Sequence, residues 1–172
     1  EKKLVIEKKT LEEIALAKAD FTLLDASRIT IPNSYDFVVE AVGPLEPREL
    51  VFGAVDILAK RLQQLKTALA TDTSRLQEAP GTIPHAFTVE LDGDGYTLGR
   101  LIEGYLYSKH YTGQHQILSF CGFRKPHPHI AVSTIKIAFS QETARAGALA
   151  FIDQAIDEIT STVSSLSRFF SN

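Results

Sequence analysis

The sequence contains no methionine and no tryptophan, and it has a single cysteine, Cys121. One cysteine excludes an internal disulfide framework and a cysteine-rich zinc or iron–sulfur cluster. No run approaches the ~20 consecutive apolar residues of a membrane-spanning helix. The charged start at residues 1–3 is followed by no apolar signal region. We therefore expect a soluble intracellular protein that is a processed product or part of a longer chain.

A strong positive charge is missing as well. The 18 Lys and Arg residues are outnumbered by 21 Asp and Glu residues, which gives a formal net charge of -3. Because non-specific nucleic-acid binding depends on cationic surfaces that displace counterions, direct binding of DNA or RNA by the whole surface is disfavoured. The 172 residues, 44% of them hydrophobic, are enough for one ordinary domain or two small ones with a real core.

The first half of the chain combines strand and helix patterns. Residues 3–7 alternate like a short strand, and Thr10 is a helix start signal before good helix formers. Residues 35–42 are rich in β-branched and aromatic side chains, which predicts a strand. Apolar residues at helical spacing then predict a long helix from 47 to about 70, with a proline in its first turn. Polar residues, glycine and proline make 71–84 a predicted connector.

The second half repeats a strand followed by a long helix. Residues 86–91 alternate with period two, and 97–109 have one apolar face, so we predict a strand, a turn and a helix. Residues 117–123 and 130–139 are predicted strands on either side of a Pro-His-Pro corner at 126–128. The prolines of that corner cannot donate backbone hydrogen bonds and must lie outside a central ladder.

A final helix is predicted from 141 to about 170, with Ser140 as its cap. Its apolar stripe is longer than the strands that could cover it. We expect another long helix, in this chain or on a partner, to bury the surplus.

Two short segments in a fixed order resemble a known family. Thr-Leu-Gly at 97–99 and Gly-Phe-Arg-Lys-Pro-His-Pro at 122–128, followed by an apolar strand and one long helix, resemble the small α-like subunit of archaeal and eukaryotic RNA polymerases, the eleventh in the eukaryotic numbering. Residues 37–51 resemble the strand, glycine turn and dimerisation helix of the third-largest subunit. One chain joining both is similar to the fused arrangement of large cytoplasmic DNA viruses.

The resemblance implies a domain plan and a fold. Residues 1–70 would be the C-terminal part of the larger α-like subunit, 71–84 the connector and 85–172 the small α-like unit. The implied architecture is α+β, with two dimerisation units made of short antiparallel strands and two long amphipathic helices packed together.

The implied function is assembly without catalysis and without a cofactor. The chain would hold the large catalytic RNA polymerase subunits, with a small tenth- or twelfth-type subunit as a further partner. It would contact no membrane, and would meet DNA only through the complex. Its location would be a cytoplasmic viral factory or the virion if viral, and the nucleus if cellular. The expected interface residues are Leu50, Val51, Leu58, Leu62, Leu98, Gly99, Leu101, Ile102, Leu106, Phe123, Pro126, His127, Pro128, Phe151, Ile152, Ile156, Ile159 and Val163.

Single motifs allow other interpretations. His127 and His129, with His110, His115 and Cys121, could suggest a metal site, but zinc needs about four converging ligands and the spacing is loose, so a packing corner is favoured. Cys121 lies in an apolar segment without an orienting acid and is read as structural, not nucleophilic. The run Asp-Gly-Asp-Gly at 92–95 is turn chemistry, not a calcium loop. The competing class is a free-standing small α+β ligand-binding protein or enzyme.

Overall fold

A computed structural model describes residues 10–93, 95–114 and 116–170. The chain divides into two compact units, Glu1–Glu40 and Ala41–Asn172. Within the described residues, no helix combines the length and the apolar character that crossing a membrane requires. The strand predicted at 3–7 lies outside the described residues.

The described part of the first unit is mostly helical. Helix α1 (Leu11–Asp20) continues into a π-helical turn (Phe21–Asp25) and a 3₁₀ turn (Ala26–Arg28). Its start at Thr10 is confirmed. The Thr10 hydroxyl accepts the Glu13 N–H, and the Glu13 carboxylate accepts the Thr10 N–H at 2.8 Å, which forms a capping box. No residue from 10 to 40 is buried.

The strand predicted at 35–42 is wrong, because the backbone there is irregular. A strand exists only when a neighbouring strand takes up its N–H and C=O groups. None of the described residues supplies such a neighbour, so β propensity alone does not produce the ladder. The predicted repeat of strand plus long helix in the two halves fails for the same reason.

The second unit contains three helices and a sheet in its described residues, which confirms the general α+β class. The strands pair antiparallel in the order β1-β2-β4-β3. Its elements in chain order are α2 (Pro47–Thr71), a 3₁₀ turn (Thr73–Arg75), β1 (Leu76–Glu78), β2 (Ala86–Leu91), α3 (Tyr96–Leu106), a π-helical turn (Tyr107–Tyr111), β3 (Leu118–Arg124), β4 (Ser133–Phe139) and α4 (Arg145–Phe170).

The core lies between one face of this sheet and the helices. Strand alternation places Phe87 opposite Ile137 and Val89 opposite Ile135, all four buried on the same face. The helices contribute the remaining layer. Their buried residues include Leu62, Leu65 and Leu69 from α2, Leu98, Ile102 and Leu106 from α3, and Ile152, Ile156 and Ile159 from α4.

Helices α2 and α4 pack together, as predicted for the two long helices, and the structure shows that they run antiparallel. Arg48 at the start of α2 donates from Nε to the carbonyl of Phe170 at 3.0 Å, while Lys66 contacts the Asp157 carboxylate at 2.6 Å. The helices are 25 and 26 residues long, or about 38 Å each. The longest strands span about 23 Å. One end of the helix pair therefore extends past the sheet.

Several boundaries differ from the predictions. The predicted connector at 71–84 contains β1, whose Leu76 pairs with Val89. Ser140 does not cap the last helix, which begins at Arg145. Instead, the Ser140 N–H donates to the carbonyl of Ile117 at 2.9 Å, which continues the β3–β4 pairing by one residue.

Candidate functional site

The two segments that carry the family resemblance meet in space. Gly99 lies in the first turns of α3, and Phe123 lies near the end of β3. The Phe123 ring rests on the helix at Gly99, where an added Cβ would lie 2.0 Å from a ring carbon. A side chain at position 99 would therefore have to displace the Phe123 ring, and we call this close approach the Gly99–Phe123 contact.

Polar and aromatic side chains of α3 enclose the Phe123 ring. Tyr96 makes an edge contact with a centroid separation of 5.9 Å, and the Arg100 guanidinium lies 5.7 Å from the ring centroid. Glu103 pairs with Arg100 at 2.5 Å and accepts the Phe123 N–H at 3.0 Å. Since β3 is an edge strand, the Glu103 carboxylate satisfies a backbone donor that a neighbouring strand would otherwise take.

A second polar cluster joins the end of α3 to α4. The Tyr105 hydroxyl donates to the Glu158 carboxylate, and the Lys109 ammonium pairs with the same oxygen. The Lys109 and Tyr105 contacts lower the pKa of Glu158 from 4.5 to about 2. Burial and the Glu158 contact raise the pKa of Tyr105, and the Glu158 contact raises the pKa of Lys109. Near neutral pH, Tyr105 is thus held as phenol and Lys109 as ammonium, so neither group is a base or nucleophile.

The Cys121 thiol is also held in its protonated form. Burial, together with the nearby charge of Glu103, raises the pKa of Cys121 to about 12. Its Sγ lies 3.9 Å from the Glu103 carbonyl oxygen. A thiol that stays protonated is a poor nucleophile, which supports the interpretation of Cys121 as structural.

The histidines occupy different surroundings. His127 and His129 lie in the exposed corner, where Nδ1 of His127 accepts the His129 N–H at 3.2 Å and the turn is stabilised. His110 packs against Phe151 with ring centroids 4.9 Å apart. Among the described residues, which leave out His115, no group of three or more His, Cys, Asp or Glu side chains is placed to hold a metal ion.

The 18 predicted interface residues divide by burial. Phe123 and Phe151 are among those that are half-buried, and whether any of the 18 contacts another chain stays a prediction. The buried ones are Leu62, Leu98, Gly99, Ile102, Leu106, Ile152, Ile156, Ile159 and Val163; the half-buried ones are Val51, Leu58, Leu101, Phe123 and Phe151; the exposed ones are Leu50, Pro126, His127 and Pro128.

Several exposed apolar residues of the long helices are not among the predicted interface residues. Phe52 and Ile57 of α2, and Leu166 and Phe169 of α4, present large apolar side chains to solvent. Together with Leu50, these exposed residues lie near the paired ends of α2 and α4, and we call the five residues the helix-pair end. The sequence feature that could have identified these residues is the length of the apolar stripes of α2 and α4, which are longer than the sheet that covers them.

The described surface also has depressions open to solvent, one of them along α2 lined by Lys60, Gln64, Thr67 and Arg75 among others. No protein-family model matches this sequence, and no curated protein matches it.

Proposed function

We propose that this chain is a non-catalytic assembly platform of a DNA-directed RNA polymerase, which holds the large catalytic subunits. The observation that carries the proposal is the Gly99–Phe123 contact. The two segments resembling the small α-like subunit are more than 20 residues apart, yet they form one packed unit. This contact supports interpreting the two segments together as parts of one unit.

The helix-pair end supports the same role. Permanent interfaces between subunits are large and apolar, commonly above ~2,000 Å² in total. Phe52 and Leu166 remain exposed where α2 and α4 extend past the sheet. If another subunit covered these side chains, burial of their apolar surface would contribute about 25 cal/mol of favourable free energy per Å². The partners in this proposal are the large catalytic subunits and a small tenth- or twelfth-type subunit.

The chemistry of the polar clusters fits a role without catalysis. Burial and the Glu158 contact raise the pKa of Tyr105, the Glu158 contact raises the pKa of Lys109, and burial raises the pKa of Cys121 to about 12. The contacts of Tyr105 and Lys109 with Glu158 join the end of α3 to α4. In this proposal the complex catalyses nucleotide transfer, and this chain supplies the surface on which the complex forms.

The test is assembly with the large subunits from the same source. Phe52→Asp and Leu166→Asp each place a charge on the helix-pair end, and burying it unpaired should cost ~3 kcal/mol, on the order of 100-fold in affinity. Gln64→Asp adds the same charge to an exposed position elsewhere on α2 and serves as the control. Circular dichroism should show all three variants folded.

Wild-type assembly by both Phe52→Asp and Leu166→Asp would contradict the proposal. Phe151 and Ile156, two of the predicted interface residues, are unsuitable test positions because Ile156 lies in the chain's own core and Phe151 packs against it. A charge at Ile156, which is 0% exposed, would unfold the second unit and would report nothing about a partner.

A further inference from the structure

We propose that residues 35–41 bind a partner protein by adding a β-strand to an open edge of that protein's sheet. The alternation of residue types is the first observation. Positions 35, 37, 39 and 41 are Tyr, Phe, Val and Ala, whereas Asp36 and Glu40 occupy the intervening positions with Val38. Period-two alternation of this kind is typical of a strand with one apolar face.

The backbone of this segment has hydrogen-bonding groups to offer. Its residues are irregular, and no backbone hydrogen bond joins any of them to another described residue. Strand-forming sequence without a strand partner is a local conflict between propensity and structure. An added strand resolves the conflict, because an open sheet edge carries a row of matching N–H and C=O groups.

The two aromatic side chains of the apolar face already lie close together. The rings of Tyr35 and Phe37 lie with centroids 6.3 Å apart. Both are highly exposed, at 75% and 87%, while Val39 is 42% exposed. A partner that covers this face would bury two aromatic rings, which are strong anchors in interfaces.

The charges specify the partner further. Residues 10–40 contain six acidic and only two basic side chains. Asp36 and Glu40 would both lie on the face opposite the rings. We therefore expect a sheet edge flanked by Lys or Arg on one face and by an apolar layer on the other, since opposite charges across neighbouring strands stabilise pairing and like charges oppose it.

A second copy of this chain offers less favourable edge strands. Of the two edge strands in the described sheet, β1 has only three residues. The other edge strand, β3, has its Phe123 N–H already accepted by the Glu103 carboxylate. The partner is therefore a different protein with a longer and open edge strand.

Photo-crosslinking in the source cells tests the proposal. A benzoylphenylalanine is placed at one position at a time from 35 to 40, with Arg28, outside the alternating segment, as the control position. We expect one crosslinked partner, with yields from 35, 37 and 39 at least fivefold those from 36, 38 and 40. Crosslinks to a second copy, yields no higher than at 28, or yields without alternation would each overturn the proposal.

Amide exchange on the purified pair gives a second readout, on the backbone instead of the side chains. In the complex, alternate amides between 35 and 41 should exchange at least tenfold more slowly than in the free chain, because only every second N–H of an edge strand faces its neighbour. Unchanged or uniformly slowed exchange would contradict strand addition. Neither readout requires the partner to be a polymerase subunit, so this inference can fail while the platform proposal stands.

Discussion

Residues 10–40 and residues 41–170 have similar apolar content but bury it differently. Sixteen of the 31 residues from 10 to 40 are apolar or aromatic, a higher share than the 44% of the whole chain. None of these 31 residues is buried, whereas the second unit forms a core of helices on a sheet. The reason is that the second unit packs helices against a sheet, whereas a single helix has no second layer to cover its apolar face. Apolar content alone therefore does not make a core.

The largest expected effect contrasts one leucine from each region. Leu69→Ala removes a side chain that is 0% exposed and should lower the free energy of unfolding by ~2–5 kcal/mol. Leu23→Ala in the first unit removes an exposed side chain and should change the free energy of unfolding by less than ~0.5 kcal/mol. Urea unfolding of both variants measures the contrast. Equal losses would mean that the first unit is buried in solution.

A slightly smaller effect is expected at the Gly99–Phe123 contact. Gly99→Ala forces a Cβ into the Phe123 ring and should destabilise the second unit by ~1–3 kcal/mol. Gly104→Ala is a matched control in the same helix, where an added Cβ meets no atom within 4 Å. That change should stabilise the chain by up to ~1 kcal/mol, because alanine is the better helix former. The same sign for both variants would refute the close contact.

Loss of the helix cap in the first unit should weaken that unit alone. Thr10→Ala removes the side-chain acceptor of the capping box and should weaken α1 by ~1 kcal/mol. Amide exchange within α1 should speed up about fivefold, while the unfolding midpoint of the second unit stays unchanged. A shift of that midpoint would show that the two regions unfold together.

The smallest expected effect is the pH dependence of the stability that the Glu158 carboxylate contributes to the second unit. Since the pKa of Glu158 is lowered from 4.5 to about 2, its contribution to stability is complete above pH 4.5 and is lost as the pH falls towards 2. Glu158→Gln should therefore have a melting temperature below that of the wild type at pH 7 and close to it at pH 2. A difference that does not change over this range would contradict the role of the charge.

The elements that periodicity predicts best are those whose apolar pattern is long or strictly alternating. Helices α2 and α4 and strand β2 follow directly from such patterns. The predicted strand at 35–42 failed and the three-residue strand β1 was missed for one physical reason: a strand depends on a distant partner that local sequence does not contain.

The candidate site was predictable only in part. The sequence placed Gly99 and Phe123 in two informative segments, but it contained no signal that they touch. A glycine inside a helix pattern is the nearest hint, because it lowers helix stability and so needs a packing reason. Ser140 was misassigned because a serine at the end of a strand and a serine at the start of a helix look alike in sequence.

The size of the native assembly tests the central claim most directly. A tagged chain, isolated from its source under gentle conditions, should elute in stoichiometric amounts with the two large polymerase subunits, at a mass far above the chain's own 19.0 kDa. Elution as a lone 19.0 kDa species with an enzymatic activity of its own would contradict the platform and favour a free-standing enzyme.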